Sequence, residues 1–290
     1  MNKSKLYDLI DEYWDDYNNK KGLDGVIKGS IPIIWFGDME SYFKSKIKTV
    51  TVSLNPSCHE FMIDNSQYDF VYRFKETKSF NNKKHLDKDE KDKLIAMYNE
   101  YFKVHPYDFW FKEYEKIMGY LSGNKGYDVG YNMIGYESHE NTAIHIDCLS
   151  AIATDPTWSK LKENAKYKTT VSNLPNYELF VKFLLFLDPD VILFSSAYDY
   201  FYDCMKIYVN KLDPKLDIEN VLVPDVSQVK NYPIRKGLIN SFRIKNKRVI
   251  HGRYKFTPFT PIGSDVKEKA FQEILQTYKD WFEEIKKRNY

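Results

Sequence analysis

The sequence predicts a single α/β domain organised on a central, mostly parallel four-stranded sheet flanked by helices. Three observations carry the prediction. Apolar runs of strand length recur along the chain, and each runs into a polar turn. Stretches with apolar residues at helical spacing lie between them, the order that builds parallel sheets with helical crossovers. No internal repeat, low-complexity linker or change of composition divides the 290 residues, and that length suits one large domain.

Residues 4–18 place Leu6, Leu9, Ile10, Tyr13, Trp14 and Tyr17 on one helical face, with Ser4 as N-cap. Residues 31–37 (IPIIWFG) predict a short strand, at an edge because Pro32 cannot donate to a ladder. Residues 38–46 predict a short amphipathic helix. Residues 49–54 (TVTVSL) predict a buried strand that Asn55-Pro56-Ser57 stops, because Asn-Pro starts turns. Residues 62–135 read as a variable aromatic and charged insertion within the domain. It holds alternating aromatics from Tyr68 to Phe74, a charged stretch at 81–93, two helices broken near His105-Pro106, and a glycine-rich loop.

Residues 143–149 (AIHIDCL) predict a second strand, leaving through the apolar-to-turn run 150–158. Asn176 caps an apolar helix that Asp188-Pro189-Asp190 breaks. Residues 191–194 (VILF) form a continuous apolar strand of the kind parallel sheets bury on both faces, ending at Ser195-Ser196. A helix over 198–212 follows. Residues 241–251 predict a hairpin turning at Asn246-Lys247 and ending on His251. After a loop of glycine, proline, aromatic and basic residues, Ser264 caps a terminal helix. Its predicted buried face is Phe271, Ile274, Leu275, Tyr278, Trp281, Phe282 and Ile285.

Composition narrows the function classes. With 43% hydrophobic and 17% aromatic residues the chain should fold on its own. A formal net charge of +2 gives no global polyanion footprint, although a local basic patch would be enough for nucleic acid. Cys58, Cys148 and Cys204 are too far apart for a zinc or disulfide framework. With no signal-like segment and no long apolar run, the expectation is a soluble, cytoplasmic protein, monomeric and without metal or cofactor.

Four strands thus leave the sheet through polar or turn segments: Asn55-Pro56-Ser57, the run 150–158, Ser195-Ser196, and His251-Gly252-Arg253. In open α/β sheets ligands sit outside the carboxyl ends of the strands. The strand ending in Ser53-Leu54-Asn55-Pro56-Ser57, the stretch IDCLSAIATDPTW, the Pro-Asp-Val-Ile-Leu-Phe strand and the last strand ending in His251 resemble the uracil-DNA glycosylase superfamily over roughly residues 45–290. The first motif is similar to that of the Asn-containing, thymine/mismatch-specific branch. That branch has glycine where Ser53 stands, Gly252-Arg253 replaces the usual proline and serine after the histidine, and Ser195 or Ser196 stands where many members carry a base-reading asparagine. These departures tell against a plain uracil specificity.

The resemblance implies a three-layer sandwich and a DNA glycosylase that hydrolyses the N-glycosidic bond of a flipped damaged or modified base. Asn55 would orient the attacking water through its amide oxygen, and His251 would donate to the base oxygen that becomes anionic. Leu54, Tyr68, Ser195 and Ser196 would hold the base, with Tyr68, or else Phe61 or Phe70, as its aromatic floor. DNA would be the partner. Ser57, Arg253 and Lys255 would meet phosphate, and Phe256 or Phe259 would wedge into the vacated stack. The basic run Arg243, Lys245, Lys247 and Arg248 reads as a solvated hairpin tip or as a phosphate contact.

Residue by residue, simpler roles stand beside these: Asn55 bridging its own turn, the serines capping the next helix, the aromatics packing under the terminal helix. His145 and Asp147, two apart, share one face of their strand. With His139 they make an incomplete metal set, and His145 reads as a satisfied core histidine. A catalytically silent nucleic-acid-binding protein and a hydrolase of free nucleosides or nucleotides are the alternatives.

Overall fold

The computed structural model describes residues 1–63, 67–80, 82–122, 127–224, 226–228, 239–253, 257–260 and 264–277. The strands are β1 (Thr49–Ser53), β2 (Val129–Gly130), β3 (Asn141–Thr142), β4 (Ile144–Asp147), β5 (Val191–Ser195), β6 (Val226–Gln228), β7 (Ile239–Ile244) and β8 (Lys247–Gly252). The helices are α1 (Lys3–Lys20), α2 (Met39–Lys44), α3 (Thr77–Phe80), α4 (Lys88–Asn99), α5 (Asp108–Leu121), α6 (Trp158–Glu163), α7 (Lys168–Asn173), α8 (Tyr177–Leu187), α9 (Tyr198–Leu212), α10 (Ile218–Val221) and α11 (Ser264–Thr277).

The main sheet has the order β4-β1-β5-β8-β7-β6. Its first four strands run parallel, in the registers Ser53↔Asp147, Val52↔Phe194 and Phe194↔His251. All four therefore deliver their carboxyl ends to one rim. The sheet is six-stranded rather than four-stranded, because the hairpin lays β7 antiparallel along β8 and β6 pairs with β7. The hairpin turns one residue earlier than its sequence predicts, with Lys245 at φ 55° supplying the left-handed position.

Strand alternation sorts the two faces. Val50, Val52, Ile192, Phe194 and His251 face α8 and α9, with α1 packed outside α8. Phe194 meets Phe180 and Phe201 edge-on, and Tyr13 meets Phe183. The opposite face carries hydroxyls on β1, each tied to a tyrosine. Thr49 Oγ1 lies 2.5 Å from the Tyr127 hydroxyl, Thr51 Oγ1 bonds the Tyr131 hydroxyl, and Ser53 Oγ lies 3.1 Å from that of Tyr114. Helix α5 lies on this face, and α11 packs beside it through Phe271 on Phe259 and Tyr120. With helices on both faces, all of β5 is buried. The 62–135 stretch is thus not peripheral: its helix α5 is part of the layer that covers the sheet.

Helix ends follow local chemistry. Asn2, not Ser4, caps α1, and Asp38 caps α2. Asp87 and Glu90 form a capping box on α4. Asn176 caps α8, which stops at Asp188, φ 47°, before Pro189. Ala197, not a serine, stands at the start of α9, with no side-chain cap. Residues 31–37 form no strand. Pro32 removes one donor and Gly37 turns the chain at φ 109°, so pairing is limited to one antiparallel bridge, Phe36 with His145, at 2.9 and 3.0 Å. The buried segment still covers the β4 edge. Tyr68 to Phe74 run through turns rather than an extended segment. On α11 Phe271 and Ile274 are buried; Tyr278, Trp281, Phe282 and Ile285 lie outside the described residues. No described helix is long and apolar enough to cross a membrane.

Candidate active site at the carboxyl rim

A pocket of about 420 Å³ opens at the carboxyl ends of β1 and β4, within the roughly 300–1,000 Å³ usual for small-molecule sites. Ser53, His145 and Asp147, which share one face of the sheet, form its floor. Phe36, Tyr107, Trp110 and Phe111 line one wall, and Thr154, Thr157, Trp158 and Lys160 the other. The turn from Leu54 to Glu60 forms the rim, and Phe109, 59% exposed, stands at the mouth.

Asn55 is half-buried on that rim. Its Nδ2 donates to Thr154 Oγ1 at 3.1 Å, to the Pro56 carbonyl at 3.2 Å and to the Ile152 carbonyl at 3.5 Å. The run after β4 thereby fixes the amide, and among the described residues Oδ1 accepts no hydrogen bond. Leu54 lines the pocket, and its carbonyl accepts from the Leu149 amide at 2.8 Å. Ser57 also lines it. Its Oγ accepts from the His59 amide at 3.2 Å, which caps the short 3-10 turn Cys58–Phe61.

That turn brings in Glu60, which is 3% exposed. Tyr101 donates to Glu60 Oε2 at 2.6 Å and Arg73 Nε lies 3.8 Å away. Burial outweighs both partners and pushes the Glu60 carboxyl up to about 7. Asp147, also buried, is raised by desolvation, with His145 pulling the other way. His145 Nε2 lies 3.4 Å from Asp147 Oδ1, and its Nδ1 lies 2.7 Å from Thr51 Oγ1. A chain of polar contacts therefore runs Tyr131, Thr51, His145, Asp147. Burial and Arg73 lower the His59 imidazole.

The other sequence candidates lie away from the pocket. His251 sits on the same rim but on the opposite face, because strand alternation turns it towards α9, where its ring stacks on Phe201 at 4.3 Å. It is fully buried, and desolvation depresses it to about 4. Its Nε2–H donates to the Ser196 carbonyl at 3.1 Å, while among the described residues Nδ1 has no hydrogen-bond partner. With its one proton committed there, it is not presented to a ligand in the pocket. Ser195 and Ser196 are likewise buried. Ser195 Oγ accepts from the Phe259 amide at 3.0 Å, and Ser196 Oγ donates to the Ala197 carbonyl at 2.9 Å. The first hydroxyl holds the loop that carries Phe259, the second bonds within its own turn, and neither residue lines the pocket.

Tyr68 is 37% exposed, stacks on Phe70 at 5.7 Å and donates to Asp155 at 2.5 Å, outside the pocket walls. The aromatic enclosure comes instead from residues 107–111 and Trp158. Phe61 is fully buried. Phe259, expected as a wedge, is also fully buried and packs on Tyr114 and Phe271. Gly252 makes that possible, since a Cβ there would come within 2.1 Å of the Phe259 ring. Arg253 is half-buried at the end of β8; Lys255 and Phe256 lie outside the described residues. His139 is engaged by Asp128 and Glu115, away from His145 and Asp147.

The chain matches no protein-family model, no curated protein and no solved structure.

Glu60 is a pocket group that sequence reasoning passed over, and Asp147 was read only with His145 and His139 as an incomplete metal set. The i, i+2 spacing of His145 and Asp147 gave their shared face, but not that it faces a cavity. Glu60 carries no signal beyond its nearness to the Asn-Pro-Ser turn.

Proposed function

We propose that the rim pocket cleaves an N-glycosidic bond and that the protein is a DNA glycosylase acting on a flipped base. The observation that carries the reading is the Asn55 amide. It is tethered through Nδ2, its oxygen accepts no hydrogen bond among the described residues, and it stands over an aromatic pocket that holds two buried carboxyls. An amide oxygen held this way orients water without acting as a strong base. The water oxygen bonds to the anomeric carbon, the bond to the base nitrogen breaks, and its electron pair leaves with the base. Glu60, titrating near neutrality, is suited to take the proton from the water. Tyr107, Trp110, Phe111 and Trp158 supply the apolar enclosure that an unstacked base needs.

The open mouth and its exposed Phe109 suit a base that arrives attached to a strand, with the phenyl ring against a neighbouring base. A second reading, hydrolysis of free nucleosides, is favoured by the single lysine, Lys160, among the lining residues. The test is to incubate the protein with single-stranded and duplex oligonucleotides carrying one modified base each, and in parallel with free nucleosides. Released base is quantified and abasic sites are cleaved with alkali. Base release from oligonucleotides supports the first reading, and release from nucleosides alone supports the second. Binding to oligonucleotides without release from any substrate would overturn both in favour of a silent binding protein.

A further inference from the structure

The pairing of Asp147 with His145 engages only one of its oxygens. Asp147 lies at the last position of β4, 6% exposed, on the floor of the pocket. Burying a carboxylate is costly unless its oxygens are bonded. One oxygen, Oδ1, faces His145 Nε2 at 3.4 Å. Among the described residues Oδ2 accepts no hydrogen bond. It is not sealed in the core, because the residue lines the cavity.

His145 cannot turn away to serve another group. Its Nδ1 lies 2.7 Å from Thr51 Oγ1, and the rings of Phe36 and Phe111 stand 5.5 and 5.1 Å from its own. The pair is a fixed acceptor at the bottom of an aromatic slot. A flat ring held between such walls would meet Asp147 with its edge.

We propose that Asp147 is a specificity-determining residue that accepts a hydrogen bond from a ring amino group, so that the pocket selects amino-bearing nucleobases over their oxo counterparts. The inference rests on the base-pocket reading above. Its chemistry is that of a carboxylate accepting from the cytosine N4 amine, where uracil would present a carbonyl oxygen and meet acceptor with acceptor. Adenine and hypoxanthine differ in the same way at position 6. His145 acts as a positioning residue, holding Oδ1 and so orienting Oδ2.

The test needs no turnover. Binding of free cytosine, uracil, adenine and hypoxanthine to the intact protein is measured by ligand-observed NMR and calorimetry. Wild type should bind each amino base about 10- to 100-fold more tightly than its oxo counterpart, the span of one good base-edge contact. Asp147→Asn keeps the shape, and its amide can turn either way, so the ratio should fall towards one while the melting temperature does not fall. Asp147→Ala should weaken the amino bases alone. If base release from oligonucleotides is detectable, the same ranking should hold there. Equal or tighter binding of uracil and hypoxanthine by wild type would overturn the inference, as would a ratio unchanged in Asp147→Asn or no binding of any of the four bases. Selective binding of amino bases with no cleavage of any substrate would leave the inference standing and remove the glycosylase reading.

Discussion

Replacing Glu60 by glutamine should stabilise the protein at alkaline pH and silence it. The Glu60 carboxyl is raised from 4.5 to about 7, chiefly by burial. Its folded pKa lies above its unfolded one, so between these values the native state holds more protons than the unfolded chain. Stability from this group is therefore fully present below pH 4.5 and lost as pH rises through 7. At about 1.36 kcal/mol per pH unit, the full interval is worth about 3 kcal/mol, carried as strain at pH 8. Glutamine keeps the oxygen that accepts from Tyr101 and removes the ionisation, so it should recover about 2–3 kcal/mol at pH 8 and almost nothing at pH 4. For a chain of this size that is roughly 3–5 °C in Tm. Calorimetric melts of both proteins from pH 4 to 9 give the difference directly. The same variant should lose most base release and the rise in rate through pH 7. A Tm difference that does not grow with pH, or a variant less stable at pH 8, would show that Arg73 neutralises Glu60 fully. The burial argument would then fail.

Asn55→Ala should lower base release by on the order of a hundredfold, with only a small change in Tm because the lost bonds lie at a half-exposed rim; a steady-state rate equal to wild type would place the water elsewhere. His139, raised to about 9 first by Glu115 and then by Asp128, should contribute about 1–2 kcal/mol after allowance for partial solvation. That contribution is present below pH 6.5 and lost as pH rises through 9, so His139→Gln and wild type should differ in urea midpoint at pH 6 and converge at pH 10. Phe259→Ala should cost about 3–5 kcal/mol of stability, as for other buried aromatics. Any loss of oligonucleotide binding in that variant should follow unfolding and be equal for single strands and duplexes.

The parallel sheet was legible in the sequence because each of its four parallel strands is a short run rich in apolar residues that leads into a polar or turn segment. The Asn55-Pro56 exit and the apolar VILF run before Ser195 are the clearest cases. Helix α9 is found at Tyr198–Leu212, where its periodicity puts it. Residues 31–37 misled because apolarity reports burial, not pairing, and Pro32 and Gly37 left one bridge where a strand was expected. His251 misled for a related reason. A polar residue at a strand end reads as rim-facing, yet strand parity decides the face, and here it turns the ring under Phe201. The pocket wall at 107–111 could not be read, since four aromatics in a tyrosine- and phenylalanine-rich chain carry no mark of which will face a cavity.

The hydroxyl ties of β1 bear on how the strand tolerates change. The backbone ladders to β4 and β5 fix the register of β1, and each hydroxyl bond, being directional, fixes the covering layer against the strand. Thr49, Thr51 and Ser53 are three such ties, each to a tyrosine, on the strand that leads to Asn55. A hydropathy scale would score Thr51→Val as an improvement in a buried strand. In this protein it would strand the Tyr131 hydroxyl and the His145 imidazole without their shared partner, and it would loosen the covering layer beneath the pocket.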